Sequence, residues 1–284
     1  MEVRTFRDPV AFRGFADPLL LSDEARNNLI LAVTGTLIDQ PDVYPEFHLW
    51  AVEEHGDPLA VAALTPPRPL LLGDAAADRA LEVLAAGVAD SGVSVTRLLG
   101  NQPGVGRFVT AWAEVANQPA EVDLSHGVFA LSQVRSVPEV TGTPRRATEH
   151  DVDTLVDWIR AFLFEVDPDM PGPTDSGVRR RIDSDPSQSG YWIWEVDGAP
   201  VSFSGHGGRT PNGIRIGPVY TPEEHRRRGY ATSLVAAQSR WLLDIGYRFC
   251  FLYTDLGDPT ANAVYRTIGY EQVAEATRYV FNPG

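Results

Sequence analysis

The sequence predicts an α/β protein built as two domains in tandem, each a central mixed β-sheet flanked by helices. Three observations carry this. Strand-like runs rich in β-branched and aromatic residues alternate with helix-length amphipathic segments along all 284 residues. The order of these elements in residues 1–135 recurs in residues 145–284. One segment also recurs in recognisable form: Trp50-Ala-Val-Glu-Glu-His-Gly-Asp-Pro-Leu-Ala-Val resembles Trp192-Ile-Trp-Glu-Val-Asp-Gly-Ala-Pro-Val-Ser-Phe.

In the first half, Val3–Phe6 reads as a short strand. Helical signals follow, clearest from Ser22 to Ile38, with Ser22 as the N-cap. Residues 47–54 and 58–64 read as two strands around the turn His55-Gly56-Asp57-Pro58. A short strand at Pro69–Leu72 leads to Gly73-Asp74, and a helix runs from Ala75 to Asp90 before Gly92. A strand at Val93–Leu99, a helix at Val105–Val115 and strands between Ala120 and Val134 complete this half. Residues 136–144, with Pro138, Gly142 and Pro144, read as a linker between domains 1–135 and 145–284.

The second half repeats the order. A strand at Arg145–Ala147 precedes a helix over Asp151–Glu165, whose Leu155, Trp158, Ile159 and Phe162 share a face. Pro168, Pro171 and Pro173 break that helix, and a shorter one covers Ser176–Ile182. Strands at 191–196 and 201–205 flank Asp197-Gly198, a strong hairpin signal between apolar runs. A strand at 213–220 and a helix over Ala231–Ile245 follow. Arg248–Thr254 reads as a strand buried on both faces. A helix then starts near Pro259 and ends before Gly269, and 270–281 supply the last strands.

Composition narrows the function classes. No apolar run approaches the roughly 18 residues of a membrane span, and the N-terminus lacks the layout of a signal peptide, so a soluble cytoplasmic protein with no membrane partner is expected. A net charge of −14 argues against nucleic acid as a partner, because affinity there rests on phosphate neutralisation. The lone Cys250 sits in an apolar run and permits neither an internal disulfide nor a cysteine metal cluster. The histidines lack metal-ligand spacing, so no metal is expected. All 24 basic residues are arginine. That removes phosphate-loop, kinase and Schiff-base lysines, and no Gly-x-Ser-x-Gly elbow is present.

The stretch with the most chemistry is Val219-Tyr-Thr-Pro-Glu-Glu-His-Arg-Arg-Arg-Gly-Tyr-Ala-Thr232, a strand end, a short acidic turn and a helix start. A helix N-terminus presents backbone N–H groups without intrahelical partners and partial positive charge. Gly229 lets the backbone approach an anion, and Arg226, Arg227 and Arg228 add charge and forked donors suited to phosphate. A solvated arginine face on an ordinary strand–helix turn is the alternative.

Residues 145–281 resemble the GNAT N-acetyltransferase family. Its pyrophosphate motif appears as Arg226-Arg-Arg-Gly-Tyr-Ala231 after Val219-x-x-Pro222, and its second motif as the strand 249–254 followed by Asn262, Tyr265 and Ile268-Gly-Tyr270. The resemblance implies acetyl-CoA as co-substrate, with the Arg226–Ala231 loop and Thr232 holding the pyrophosphate. It implies that the strands 213–220 and 249–254 splay, leaving Val219, Tyr220 and Thr221 to bond the pantetheine arm and the thioester carbonyl. It makes Tyr265 the general acid toward the leaving sulfur, with Asn262 on the cofactor arm. Where many members have Asn seven residues before that tyrosine, this chain has Asp258. Asp255, His206, Glu165 and Glu224 are candidate bases, with a water chain as the alternative. The first half has no such loop after Leu72, and Val109 falls where Tyr265 stands, so it reads as a degenerate copy.

The function implied is acetyl transfer to a primary amine, of a small molecule or alternatively of a peptide N-terminus, by direct transfer in a ternary complex. The competing class is a non-catalytic acyl-CoA-binding or sensor module. A monomer or a homodimer is expected.

Overall fold

The computed structural model describes residues 1–167 and 172–281. Pro168 and Pro171, expected to break a helix, lie outside the described residues. In chain order the first elements are β1 (Glu2–Phe6), α1 (Pro9–Leu20), α2 (Asn28–Asp39), β2 (His48–Glu54), β3 (Asp57–Leu64), β4 (Leu70–Leu72), α3 (Asp78–Asp90), β5 (Arg97–Asn101), α4 (Gly104–Ala116) and β6 (Ala120–Leu131). They are followed by β7 (Thr143–Arg146), α5 (Val152–Val166), α6 (Asp175–Asp183), β8 (Gly190–Val196), β9 (Ala199–Arg209), β10 (Gly213–Tyr220), α7 (Tyr230–Asp244), β11 (Phe249–Asp255), α8 (Pro259–Ile268) and β12 (Glu271–Phe281).

The chain forms two compact units, and both are discontinuous. The first comprises Met1–Val128, Thr254–Gly257 and Gln272–Gly284; the second comprises Phe129–Tyr253 and Asp258–Glu271. The sequence alone assigned 270–281 to the second half. In the structure β12 instead pairs antiparallel with β5, from Ala276 opposite Asn101 to Val280 opposite Arg97. Phe281 buries its ring against Trp112 at 5.3 Å between centroids. The identity of a strand's neighbour is not encoded in its own alternation, so local pattern cannot name the sheet it joins. Residues 136–144 also pack rather than dangle: Val137 and Val140 lie against apolar clusters of the second unit.

In the first unit the strands run β1-β2-β3-β4-β5-β12. Alternate residues of β2 and β3 go to opposite faces. Leu49, Ala51, Val61 and Ala63 pack with α1 and α2, whereas Trp50, Val52, Ala60 and Ala62 pack with α3 and α4. A sheet buried on both faces needs apolar residues at every position, and these strands have them. The helix expected over 22–38 begins later, as α2 at Asn28, and a separate helix, α1, precedes it. Asp8 caps α1 by accepting from Val10 N at 2.9 Å, with Pro9 in the first turn. Ser22 is no N-cap; its hydroxyl donates back to the Leu19 carbonyl at 2.7 Å. Asn27 then holds the turn before α2, its amide donating to the Leu20 and Asp23 carbonyls at 3.2 and 3.1 Å.

The second unit orders its strands β11-β10-β9-β8-β7. Tyr191, Ile193 and Phe203 pack under α5 and α6, while Ile214, Ile216, Cys250 and Leu252 pack under α7 and α8. The β2–β3 and β8–β9 hairpins share their details position for position. Their turns place His55-Gly56 and Asp197-Gly198 at positive φ, as a tight hairpin turn requires. Their registers both shift at the second residue after the tryptophan, between Val52 and Glu53 and between Trp194 and Glu195. Two hairpins alike in turn, bulge and register support descent from one duplicated unit.

Candidate active site

The site is organised by where β10 stops pairing with β11. The two run parallel only over Gly213–Arg215 and Phe249–Phe251. On its other side β10 stays antiparallel to β9, with Ile216 opposite His206 and Val219 opposite Ser204. Gly217 and Pro218 therefore stand opposite the single residue Gly205, which is a β-bulge. A bulge bends its strand, and Pro218 carries no N–H for a ladder. Past Arg215 the β11-facing edge of β10 is not paired with β11.

The strand leads through Thr221 and Pro222 into a 3-10 turn, Glu223–His225, and then into α7. Arg227 is held at φ 62° and Gly229 at φ 82°. Positive φ at a non-glycine residue is uncommon, and alternating hands of backbone turn successive N–H groups toward one point, forming a concavity for anions. Ser233 N–H is the first to bond back along α7, reaching the Gly229 carbonyl at 3.0 Å. The N–H groups of Tyr230, Ala231 and Thr232 thus have no intrahelical acceptor. A Cβ at position 229 would stand 2.9 Å from Val140 Cγ1 and would have to adopt φ 82°. Glycine is the residue that meets both conditions.

The three arginines differ in what they do. Arg226 is committed within the protein: its Nε donates to the Thr221 carbonyl at 2.9 Å and its Nη2 to Glu165 Oε1 at 2.6 Å. It thereby braces the loop against α5, and Glu165, one of the candidate bases, is occupied by it. Arg227 and Arg228 are exposed and form no ion pair with a described residue. Tyr230 turns inward, with its ring buried among Trp194, Val201 and Leu234. Its contribution to the loop is therefore its backbone. Val219, Tyr220, Thr221, Ala231 and Thr232 are half-buried, and the Ser202 hydroxyl donates to the Tyr220 carbonyl at 3.1 Å.

α8 begins with Asp258, whose carboxylate accepts from Thr260 N at 2.9 Å and Ala261 N at 3.0 Å. Asp in place of Asn thus serves as the helix cap, with Pro259 in the first turn. Asn262 is buried and donates Nδ2 to the Asp258 carbonyl at 2.7 Å, tightening the same turn. One turn on, Tyr265 lies against Tyr270 at 6.1 Å, edge to face. Burial, and secondarily the Asp258 charge, push the Tyr265 hydroxyl up to about 12. It therefore keeps its proton throughout the neutral range.

His206 is no base. It is 1% exposed, and both ring nitrogens are engaged. Nε2 stands 2.9 Å from the Pro186 carbonyl and Nδ1 stands 3.0 Å from Gln238 Nε2, while the Ser204 hydroxyl donates to Gln238 Oε1 at 2.5 Å. Only a neutral ring with its proton on Nε2 satisfies that chain. Burial lowers its pKa to about 4.

The first unit has the parallel pair but not the cradle. Leu70 and Leu71 of β4 lie opposite Leu98 and Leu99 of β5. The backbone after β4 is then filled by the protein's own side chains. Arg26 pairs with Asp74, Asn101 Nδ2 donates to Asp74 Oδ1 at 2.9 Å, and Asn27 Oδ1 accepts from Asp74 N at 2.8 Å. Val109, on α4, packs partly buried against the core of the first unit.

Among the described residues no group of three or more His, Cys, Asp or Glu is arranged to hold a metal, and no helix is long and apolar enough to cross a membrane. Residues 152–270 match the model of the Acetyltransferase (GNAT) family. Solved structures with similar folds span the whole chain. One is a tandem GNAT protein from the clavulanic acid biosynthesis pathway, 15% identical with 100% of each chain covered and a TM-score of 0.61. Another is a GCN5-related N-acetyltransferase from Sphaerobacter thermophilus, 17% identical, covering 99% of this chain and 96% of that one, with a TM-score of 0.65. A third is a Drosophila protein, 11% identical, covering 98% of both chains, with a TM-score of 0.68. At such identities these likenesses are likenesses of fold, and the fold is that of GNAT proteins, a tandem one included. No curated protein sequence matches this chain.

A prediction follows for His206. A folded pKa near 4 against about 6.5 unfolded means that the unfolded chain binds the extra proton first. The stability this group contributes, ~3 kcal/mol, is complete above pH 6.5 and is lost as pH falls from 6.5 toward 4. NMR titration of the histidine ring protons should find one ring with a midpoint near 4. Six midpoints all near 6.5 would contradict the buried neutral assignment.

Proposed function

We propose that the second unit is an acetyl-CoA-dependent N-acetyltransferase acting on a primary amine of a small molecule, by direct transfer in a ternary complex. The observation that carries this reading is the coincidence, on one strand–loop–helix, of a splayed strand edge with a positive-φ arginine–glycine cradle at a helix N-terminus. Separately each is common. Together they suit a ligand with a pyrophosphate at one end and an amide-bearing arm at the other.

The donor set fits such a ligand. The backbone from Arg227 to Thr232 would hold the pyrophosphate, with Arg227 and Arg228 supplying charge and Arg226 holding the loop's shape. The edge of Val219, Tyr220 and Thr221 would receive the amide arm as an added strand. Asn262 serves by keeping the first turn of α8 in place. Acetyl-CoA supplies the acetyl group as a thioester. Val219 N–H is the donor available to the thioester carbonyl, where negative charge develops. Tyr265 holds the proton that the departing sulfur takes up when the C–N bond forms and the C–S bond breaks. A water chain carries the amine's own proton to solvent. The net charge of −14 favours the approach of cationic amines.

Isothermal titration with acetyl-CoA tests the cradle. Wild-type protein should bind saturably. Gly229→Ala should lose about tenfold or more, because a Cβ at positive φ costs about 1–2 kcal/mol and would meet Val140. Equal binding by both would place the pyrophosphate elsewhere.

Tyr265→Phe tests the acid. Binding should be unchanged, while release of free CoA with a panel of primary amines falls roughly 100-fold. Unchanged turnover with normal binding would remove Tyr265 from the chemistry. No turnover by wild type with any amine, alongside normal binding, would favour the non-catalytic module.

A further inference from the structure

The bulge on which the site turns is held from outside the strand. Arg181, on α6, lays its guanidinium 4.6 Å from the Tyr191 ring centroid and directs Nη2 at two backbone carbonyls. One is His206 O on β9 at 2.7 Å; the other is Gly217 O on β10 at 3.3 Å. These carbonyls flank the bulge, where ladder pairing between the strands lapses. Arg181 forms no ion pair with a described carboxylate, so its charge is directed to the backbone. The fit is close. A Cβ on Gly205, the residue opposite the bulge, would stand 2.8 Å from Gly217 O and 3.0 Å from Arg181 Nη2. Thr174 caps α6 by accepting from Gly177 N at 3.1 Å, and Val178 anchors the helix in the core, so the guanidinium rises from a fixed base.

We propose that Arg181 is the positioning residue of the acyl-transfer site: it sets the orientation of the Gly217 carbonyl and, through it, of the Val219 N–H. The chain of cause is short. Pro218 has no N–H, so Val219 supplies the first donor after the clamped carbonyl. Only one residue, its φ restricted by a ring, lies between the two groups. A planar guanidinium with several donors in a fixed fork can bridge two carbonyls, and two carbonyls so bridged cannot rotate apart. Arg181 touches neither substrate in this scheme. The proposal rests on the acyl-CoA reading above.

The test compares two ligands by isothermal titration: acetyl-CoA, and adenosine 3′,5′-bisphosphate, which has phosphates but neither thioester nor arm. Arg181→Gln should weaken acetyl-CoA about tenfold, as expected for losing a charged hydrogen bond, and leave the bisphosphate unchanged. Arg181→Lys, which keeps the charge and a donor, should lose less. Gly205→Ala, which crowds the same carbonyl without touching the arginine, should reproduce the selective loss. If the glutamine variant does not fold, the other two decide the matter. An equal loss on both ligands would assign Arg181 to general stability, and no loss on either would leave the bulge independent of it; both overturn the proposal. Wild-type protein that binds neither ligand would overturn the acyl-CoA reading and this proposal with it, whereas normal wild-type binding with unaffected variants overturns this proposal alone.

Discussion

The separation of β10 from β11 after Arg215 is the constraint on which the second unit's chemistry depends. A parallel pair that continued to Tyr220 would saturate the edge of β10 and leave only a helix N-terminus beside an ordinary sheet. One extra residue on β10 prevents that. Gly217 and Pro218 face Gly205 alone, and the strand turns away from β11 while keeping its bonds to β9. The same turn aims the chain at Thr221 and Pro222, and so determines where α7 begins. Edge and cradle are consequences of one bulge, which is why they lie on consecutive residues.

Electrostatics around this backbone is divided by role. Arg226 is spent on Glu165 and the Thr221 carbonyl, and Arg181 on carbonyls at the bulge. Arg227 and Arg228 are exposed and pair with no described carboxylate. A row of three arginines in the sequence does not disclose this division, because it depends on the directions successive Cα–Cβ bonds take in a loop with mixed φ signs. Desolvation acts in opposite senses on two groups of the second unit. It drives His206 toward the neutral base form, locked by Gln238 and Pro186, and drives Tyr265 toward the neutral acid form. The first holds His206 neutral within the sheet, and the second holds Tyr265 protonated.

Much of this was legible in the sequence, and the parts that were not share a cause. The Asp197-Gly198 turn, the strand over 213–220, the loop to Ala231 and the start of α8 at Pro259 follow from local chemistry: turn glycines, β-branched runs and a proline suited to a first helical turn, whereas the cap that Asp258 supplies there does not show in the sequence. The helix read from Ser22 starts instead at Asn28, because Asn27 holds a turn through bonds to Leu20 and Asp23, which helical periodicity does not register. The pairing of β12 with β5 was missed because the apolar alternation of 271–281 fits either sheet. Arg181 was missed because it lies on a short helix among Arg179 and Arg180, and only its distance to two carbonyls distinguishes it. The loss of the cradle in the first half was legible, since no Arg-x-x-Gly-x-Ala follows Leu72. What replaced it, the Arg26–Asp74–Asn101 network, was not.

The central claim is that one strand–loop–helix of the second unit receives acetyl-CoA. The most direct measurement is a crystal structure of the protein grown with acetyl-CoA. The account predicts pyrophosphate density on the backbone from Arg227 to Thr232 and the thioester carbonyl within hydrogen-bond distance of Val219 N–H. Density for the cofactor elsewhere, with Gly229 and Val219 left bare, would contradict it.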